Sequence, residues 1–255
     1  MKRMLKITTY LFLIISVAGI LYLAATLENQ KGYSIKVISI TGNNLLKVDE
    51  YYKFAKLDDD KEYSKLNLPV IKSRIEKHPY VQSVSVFYDG HNKVTAEIKE
   101  KPVVAMLFSG DEEFLLTEKK EVLPLLPFTR QIDYPLLSNP KTEEKITAKM
   151  ILNNNIDILK GFKIIFSLKF VNSALFDRLS EIDFRNGGDI LLSFGGMNYA
   201  VVLGRENEVR KIIYFNTLWN SISEYDLDNV IDYVDLRYQG HIYLGKEPTS
   251  GDTEA

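Results

Sequence analysis

The chain has 255 residues, 45% of them hydrophobic and 26% charged, an ordinary globular balance with enough apolar material for one or two packed domains. Its 32 basic and 34 acidic residues leave a formal charge of -2, which argues against a nucleic-acid partner. The absence of cysteine excludes disulfides, thiolate catalysis and cysteine-ligated zinc.

The amino terminus carries the most apolar stretch. Residues 7–27 pass without a charge, and roughly 21 residues at about 1.5 Å each span a hydrocarbon core about 30 Å thick. A cleaved secretory signal is the competing reading. Leu23, however, stands where a cleavage site ending at Ala25 needs a small residue, and the apolar run is longer than a signal core. The expectation is a single-pass helix. Lys2, Arg3 and Lys6 then hold a tail of residues 1–6 in the cytoplasm and place the bulk outside the cytoplasmic membrane. Residues 28–34 read as a polar connector.

A strand is expected over Ile35–Ile40, stopped by Thr41-Gly42-Asn43. Val48, Tyr51, Tyr52 and Ala55 recur on one helical face, and Val70, Ile71 and Ile75 form the apolar side of a second helix that opens at Leu68-Pro69. Pro79 ends that helix, because the residue before a proline avoids helical backbone. From Val81, alternating residues on both sides of Asp89-Gly90 predict a β-hairpin with one buried face and a loop through His91-Asn92-Lys93 longer than two residues. The Asp58–Asp60 run lacks the alternating carboxylate spacing of a calcium loop and reads as solvated.

The order is therefore β-α-α-β-β through Lys99, behind a membrane anchor. With the strand end Ile38-Ser39-Ile40-Thr41-Gly42-Asn43-Asn44, the helix stop His78-Pro79-Tyr80-Val81 and the exit Glu100-Lys101-Pro102-Val103-Val104-Ala105, it resembles the POTRA domain of the FtsQ/DivIB cell-division proteins. Tyr80 stands where that family often has tryptophan, and Lys101 where it often has arginine.

Beyond the exit, residues 114–116 and 122–125 suggest a hairpin. Prolines 124, 127 and 135 mark extended chain. A long helix is expected from Thr142-Glu143-Glu144 toward Phe170, interrupted near Asn153–Asn155 and Gly161, with a short helix over 173–179. Residues 181–203 read as an antiparallel meander turning at Asn186–Asp189 and Gly195-Gly196. A helix after Gly204-Arg205 buries Val209, Ile212, Ile213, Phe215, Leu218 and Trp219. Strands over 230–238 and 241–244 finish the fold. Ile231–Tyr238 resembles the closing Y-V-D-L-R-Y pattern of the same family, which extends the likeness over nearly the whole chain.

The expected fold is α+β: a single N-terminal transmembrane helix, a βααββ POTRA-like domain over 35–102, a mixed, mainly antiparallel β-domain with helices over 103–245, and a mobile tail over 246–255. Chemistry is not legible. His78, His91 and His241 lack metal-ligand spacing, no nucleophile elbow, phosphate loop or dinucleotide fingerprint occurs, and no cofactor is expected. Asp235 and Arg237 read as a structural ion pair, and Gly204-Arg205 as a helix cap with no anion.

The positive signal is for binding. A late, short strand can lie at a sheet edge, where unpaired N–H and C=O groups template another strand; the alternative is an edge blunted by the charged tail. Tyr238, His241, Ile242, Tyr243 and Leu244 are the candidate partner-binding residues. The resemblance implies a non-enzymatic divisome scaffold at the septum, whose C-terminal strand receives the FtsB-FtsL pair and whose POTRA-like domain meets other division proteins. A POTRA-bearing envelope-assembly or translocation factor, or an extracytoplasmic hydrolase, is the alternative.

Overall fold

The computed structural model describes residues 12–22, 35–130, 133–222 and 230–246. Residues 12–22 form helix α1, with Phe12, Ile14, Ile20 and Tyr22 exposed. The remainder of the expected span 7–27, the tail 1–6, the connector 28–34 and residues 247–255 lie outside the described residues. Among the described residues no helix is long and apolar enough to cross a membrane.

In the first sheet, β1 (Val37–Thr41) runs parallel to β3 (Lys93–Glu100), which pairs antiparallel with β2 (Val81–Gly90). Helices α2 (Val48–Ala55) and α3 (Leu68–Glu76) bury Tyr51, Ala55, Ile71 and Ile75 in one core with Ile38, Ile40, Val84, Val94, Ala96 and Ile98. The α3 start follows from sequence: Asn67 accepts the Val70 N–H at 2.9 Å, and Pro69 occupies a first-turn position whose N–H needs no partner. Val70, expected on the buried side, lies in that first turn and is exposed.

The hairpin turn differs from expectation. Strand pairing continues to Gly90 and Lys93, so only His91 and Asn92 form the turn, both at positive φ of 51° and 63°. A register shift between Tyr88 and Gly90 takes up the extra residue, and the Tyr88 hydroxyl accepts the Asn92 N–H at 2.8 Å. Asparagine tolerates the left-handed region because of its short polar side chain; histidine shares that tolerance to a lesser degree.

Two of the sequence landmarks turn out to be halves of one contact. At Gly42, φ is 85°, and a Cβ would stand 2.2 Å from the Ile98 carbonyl oxygen, so only glycine fits. The chain it turns brings the Asn44 and Leu45 amides to the Glu100 carboxylate at 2.9 and 3.0 Å, and the Tyr51 hydroxyl donates to the same group. Burial, reinforced by Glu100, pushes the Tyr51 phenol up.

His78 is buried at the end of α3, where its Nδ1 accepts the Tyr80 N–H at 3.1 Å and its ring meets Tyr51 and Phe54 at 4.5 and 4.6 Å. Burial, with Lys101 adding to it, pulls its pKa down from 6.5 to about 4. The folded state therefore prefers neutral histidine: its contribution is complete above pH 6.5 and is lost as pH falls toward 4. Urea titrations across that window should show stability falling with acidity, and His78→Asn should flatten the slope while keeping an acceptor for Tyr80.

The second sheet has nine strands: β4 (Val103–Ser109), β5 (Glu112–Thr117), β6 (Val122–Pro124), β7 (Leu136–Ser138), β8 (Leu179–Asp183), β9 (Leu191–Phe194), β10 (Ala200–Val202), β11 (Tyr233–Asp235) and β12 (Tyr243–Gly245). Their order is β12-β11-β10-β9-β8-β7-β4-β5-β6. The pairs β4–β7, β7–β8 and β10–β11 are parallel and the rest antiparallel, so β8-β9-β10 is the expected meander. Helices α4 (Ile156–Val171), α5 (Ser173–Phe176) and α6 (Glu208–Ile222) share the large core with the sheet. At Gly161 α4 packs tightly on this core: a Cβ there would meet the Phe184 ring at 2.9 Å.

The helix expected from residue 142 begins only at Ile156. Chain 149–152 instead extends the β6 side of the sheet: the Val122 N–H reaches the Met150 carbonyl at 2.8 Å, Lys149 returns a bond to Val122 at 2.7 Å, and Leu152 donates to Lys120 at 2.9 Å. Backbone groups committed to a sheet are unavailable to a helix. Asn155 then starts α4 by accepting the Ile158 N–H at 3.0 Å.

Alternation along β5 ties the two sheets together. Phe114 and Leu116 enter the large core, whereas Leu115 and, from β6, Leu123 enter the core of the first sheet. At the centre of this joint stands Tyr80, fully buried. Its hydroxyl accepts the Leu126 N–H at 2.9 Å and lies 3.0 Å from the Pro124 carbonyl and 2.8 Å from the Thr129 hydroxyl, while its carbonyl accepts from the Lys101 N–H at 2.8 Å.

Candidate partner-binding edge

Strand β12 is the outermost strand at one end of the nine-stranded sheet. Among the described residues it pairs on one side only, antiparallel to β11, with Val234 opposite Leu244 and Asp235 opposite Tyr243. The expected strands 230–238 and 241–244 are shorter here and shifted, to 233–235 and 243–245. The Asp232 N–H donates to the Gly245 carbonyl at 2.8 Å, so Gly245 directs its backbone inward; by the alternation of an antiparallel ladder, the N–H and C=O of Leu244 face away from β11. Gly245 has its own requirement, since a Cβ would stand 2.2 Å from the Tyr233 ring.

The five sequence candidates converge here, with different surroundings. Tyr238, Tyr243 and Leu244 are about half exposed, at 55%, 50% and 47%. Tyr238 and Tyr243 meet edge to face at 5.1 Å, with the exposed His241 ring 6.2 Å from Tyr243. Ile242 instead turns toward the large core and packs against it. Gly240, at φ of 77°, makes the turn that returns the chain along β11.

Under this edge lies a fixed ionic clamp. Asp235, buried, takes the Arg237 Nε at 3.0 Å, one Arg237 terminal nitrogen at 2.6 Å and the Arg237 backbone N–H at 2.9 Å. The other terminal nitrogen reaches Asp189 at 2.9 Å. Burial opposes the Asp235 charge, but the hydrogen bonds from Arg237 outweigh it and hold the carboxyl below its ordinary value. The expected pairing of Asp235 with Arg237 is present; Asp189 is the member the sequence reading missed, although its hairpin turn, Asn186–Asp189, was recognised. Nearby, buried Lys211 donates to the Leu203 carbonyl at 2.8 Å, and burial pulls its ammonium down.

A cleft of about 360 Å³ opens beside the clamp, lined among others by Arg210, Lys211, Tyr214, Arg237 and Tyr238. It adjoins the edge strand and offers room for a partner side chain next to the exposed tyrosine. Arg205, at the start of α6, is committed elsewhere: it reaches the buried Asp157 carboxylate at 2.6 Å and the Phe184 carbonyl at 3.1 Å. It therefore acts as a cross-link between α4 and the end of β8. Among the described residues no group of three or more His, Cys, Asp or Glu side chains is arranged to hold a metal ion.

Comparison with known proteins decides the family. The profile described as POTRA domain, FtsQ-type, matches residues 33–101. The profile of the C-terminal region of cell division protein FtsQ/DivIB matches residues 105–237. The chain belongs to the FtsQ/DivIB family. It is similar to cell division protein DivIB of Clostridium acetobutylicum, 23% identical over 217 residues that cover 82% of this chain and 81% of that protein. It is similar also to cell division protein FtsQ of Geotalea daltonii, 23% identical over 214 residues, covering 84% and 76%. The FtsQ/DivIB match runs to Arg237, so it includes the Asp235–Arg237 clamp and stops before the edge strand β12.

Proposed function

We propose that this FtsQ/DivIB-family cell division protein is a non-enzymatic scaffold of the divisome. It is held in the cytoplasmic membrane by residues 7–27, with its bulk outside, and works at the division septum. It links early division proteins, met through the POTRA-like domain, to the FtsB-FtsL pair and so to septal peptidoglycan synthesis. The observation that carries the reading is the open edge of β12, with exposed Tyr238, Tyr243 and Leu244 beside it. An extended segment of FtsB added to that edge gains main-chain hydrogen bonds, and the aromatic residues supply anchors beside them. Tethering both partners to one membrane raises their effective concentration, so the contact itself need not be tight.

Leu244→Asp or Tyr243→Lys should weaken capture of soluble FtsB by about tenfold or more, the size of effect expected at an anchor position. Both side chains are about half exposed, so thermal stability should stay unchanged. Unchanged capture at unchanged stability would remove β12 from the interface.

A further inference from the structure

We propose that His78 is a proton-operated latch on the joint between the two sheets: a neutral ring keeps the joint closed, and a proton on Nδ1 loosens it. The Tyr80 N–H can only donate, so the Nδ1 that accepts it at 3.1 Å carries a lone pair, and the proton of the neutral ring sits on Nε2. A second proton removes that acceptor and leaves two N–H groups facing each other inside a buried turn. Tyr80 is the residue displaced by it.

The effect reaches the second sheet because Tyr80 is held at both ends. Its N–H belongs to His78, while its hydroxyl accepts the Leu126 N–H at 2.9 Å and meets the Thr129 hydroxyl at 2.8 Å. Between those two residues Phe128 stands at φ of 65° with its ring 73% exposed. A bulky side chain rarely holds such a backbone, and the Tyr80 bonds on either side keep it there. Releasing Tyr80 gives segment 126–129 a way to relax. A cleft of about 400 Å³ lies where the opening would widen, lined by Phe54 of α2, by His78 and by Leu126 and Phe128 of the segment. The Arg130 N–H still reaches the Leu45 carbonyl at 2.8 Å, so the latch alters the freedom of the joint and does not separate the sheets.

The charges around the ring give an imidazolium no welcome. From α2, Tyr51 and Phe54 touch the ring, and Glu50 and Lys53, which also line the cleft, are paired with each other at 3.0 Å. At the end of α3, Glu76 pairs with Lys72 at 3.7 Å and Lys77 adds a positive charge. Lys101, which opposes a proton on His78, is paired with Glu121 at 2.7 Å. Glu100 is taken up by the Tyr51 hydroxyl and the Asn44 and Leu45 amides. Residues 124–129 carry no ionisable side chain. A proton therefore enters mainly at the expense of the closed joint, and the sign follows: the latch is fully closed above pH 6.5 and opens as pH falls toward 4.

The chain has no cysteine, so spin labels at Ser85→Cys in β2 and Ala174→Cys in α5, both exposed, report the distance between the two sheets in the full-length chain. One narrow distance is expected at neutral pH. A reversible distribution about twice as wide is expected at the acid end of that window, with unchanged circular dichroism. Nitrogen chemical shifts of the His78 imidazole should show the Nε2–H form at neutral pH and its loss over the same range as the broadening.

His78→Asn keeps an acceptor for Tyr80 and takes no proton, so its distribution should stay narrow throughout. Tyr80→Phe should be broad already at neutral pH, and its His78 should titrate at higher pH than in the parent. Broadening that survives His78→Asn would trace the effect to other groups and overturn the latch. Titration of His78 in the parent with no change in distance would overturn it too, and that comparison decides the matter even if the asparagine variant fails to fold. Loss of secondary structure before any change in distance would also overturn it.

Discussion

Tyr80→Ala should destabilise the chain by about 3–5 kcal/mol, the range for truncating a buried aromatic, and should split one melting transition into two. The reason is position. Tyr80 follows α3 in the first unit, yet its hydroxyl bonds to the 124–129 segment that leaves β6 in the second. Tyr80→Phe isolates the polar part of the effect. It keeps the ring but strands the half-buried Leu126 N–H, which costs about 1 kcal/mol, the low end of the range for a donor left without a partner. Calorimetry of the two variants beside the parent chain checks both expectations. A Tyr80→Ala variant that melts in a single, unshifted transition would show that the shared leucines alone hold the joint.

Asp235→Ala should cost about 2–3 kcal/mol, in line with losing hydrogen bonds to a charged partner, and should weaken FtsB capture along with stability. Removing this carboxylate leaves Arg237 with only Asp189 and takes a negative charge away from buried Lys211. The acid limb gives an independent check. Because the folded Asp235 carboxyl lies below its ordinary value of 3.8, its contribution is present above pH 3.8 and is lost as pH falls through the folded value. The variant should therefore lose part of the parent's steep decline below about pH 4. Urea titrations at neutral and acidic pH measure both effects.

Local pattern was enough for much of the fold. Alternation named the β2–β3 hairpin, Pro69 and Pro79 named the start and end of α3, and the Asn186–Asp189 turn with the paired glycines 195 and 196 named the meander from β8 to β10. The two largest differences share one physical cause: backbone hydrogen bonds drawn to partners distant in sequence. Residues 142–155 have apolar positions compatible with a helix, but Met150 and Leu152 bond to Val122 and Lys120 instead. Strand β4, unrecognised in Val103–Ser109, acquires its definition from β5 on one side and β7 on the other. The hairpin loop, expected to run from Asp89-Gly90 through His91-Asn92-Lys93, narrows to His91-Asn92 because a bulge between Tyr88 and Gly90 takes up one residue.

At the candidate site, the five residues were legible as a cluster, since an aromatic-rich terminal strand is visible without coordinates. The direction of each was not. Ile242 packs inward while Leu244 stays half exposed, and no local signal distinguishes two apolar residues two positions apart at the end of a three-residue strand. Asp189 was equally hidden, because it joins Arg237 across 48 residues of sequence. The motif at Glu100 was read as a family exit signal; its physical role, holding the Asn44 and Leu45 amides, became visible only when strand β3 was placed beside β1.

If the chain acts in division by presenting β12 to a tethered partner, a charge placed on that strand should stop division in the cell. The most direct measurement is in cells depleted of the native protein and supplied with a fluorescent fusion carrying Leu244→Asp. This fusion should reach the septum, fail to crosslink to FtsB and leave filamentous cells, while the parent fusion restores division. Normal septation supported by the Leu244→Asp fusion, or a parent fusion spread evenly around the membrane throughout division, would contradict it.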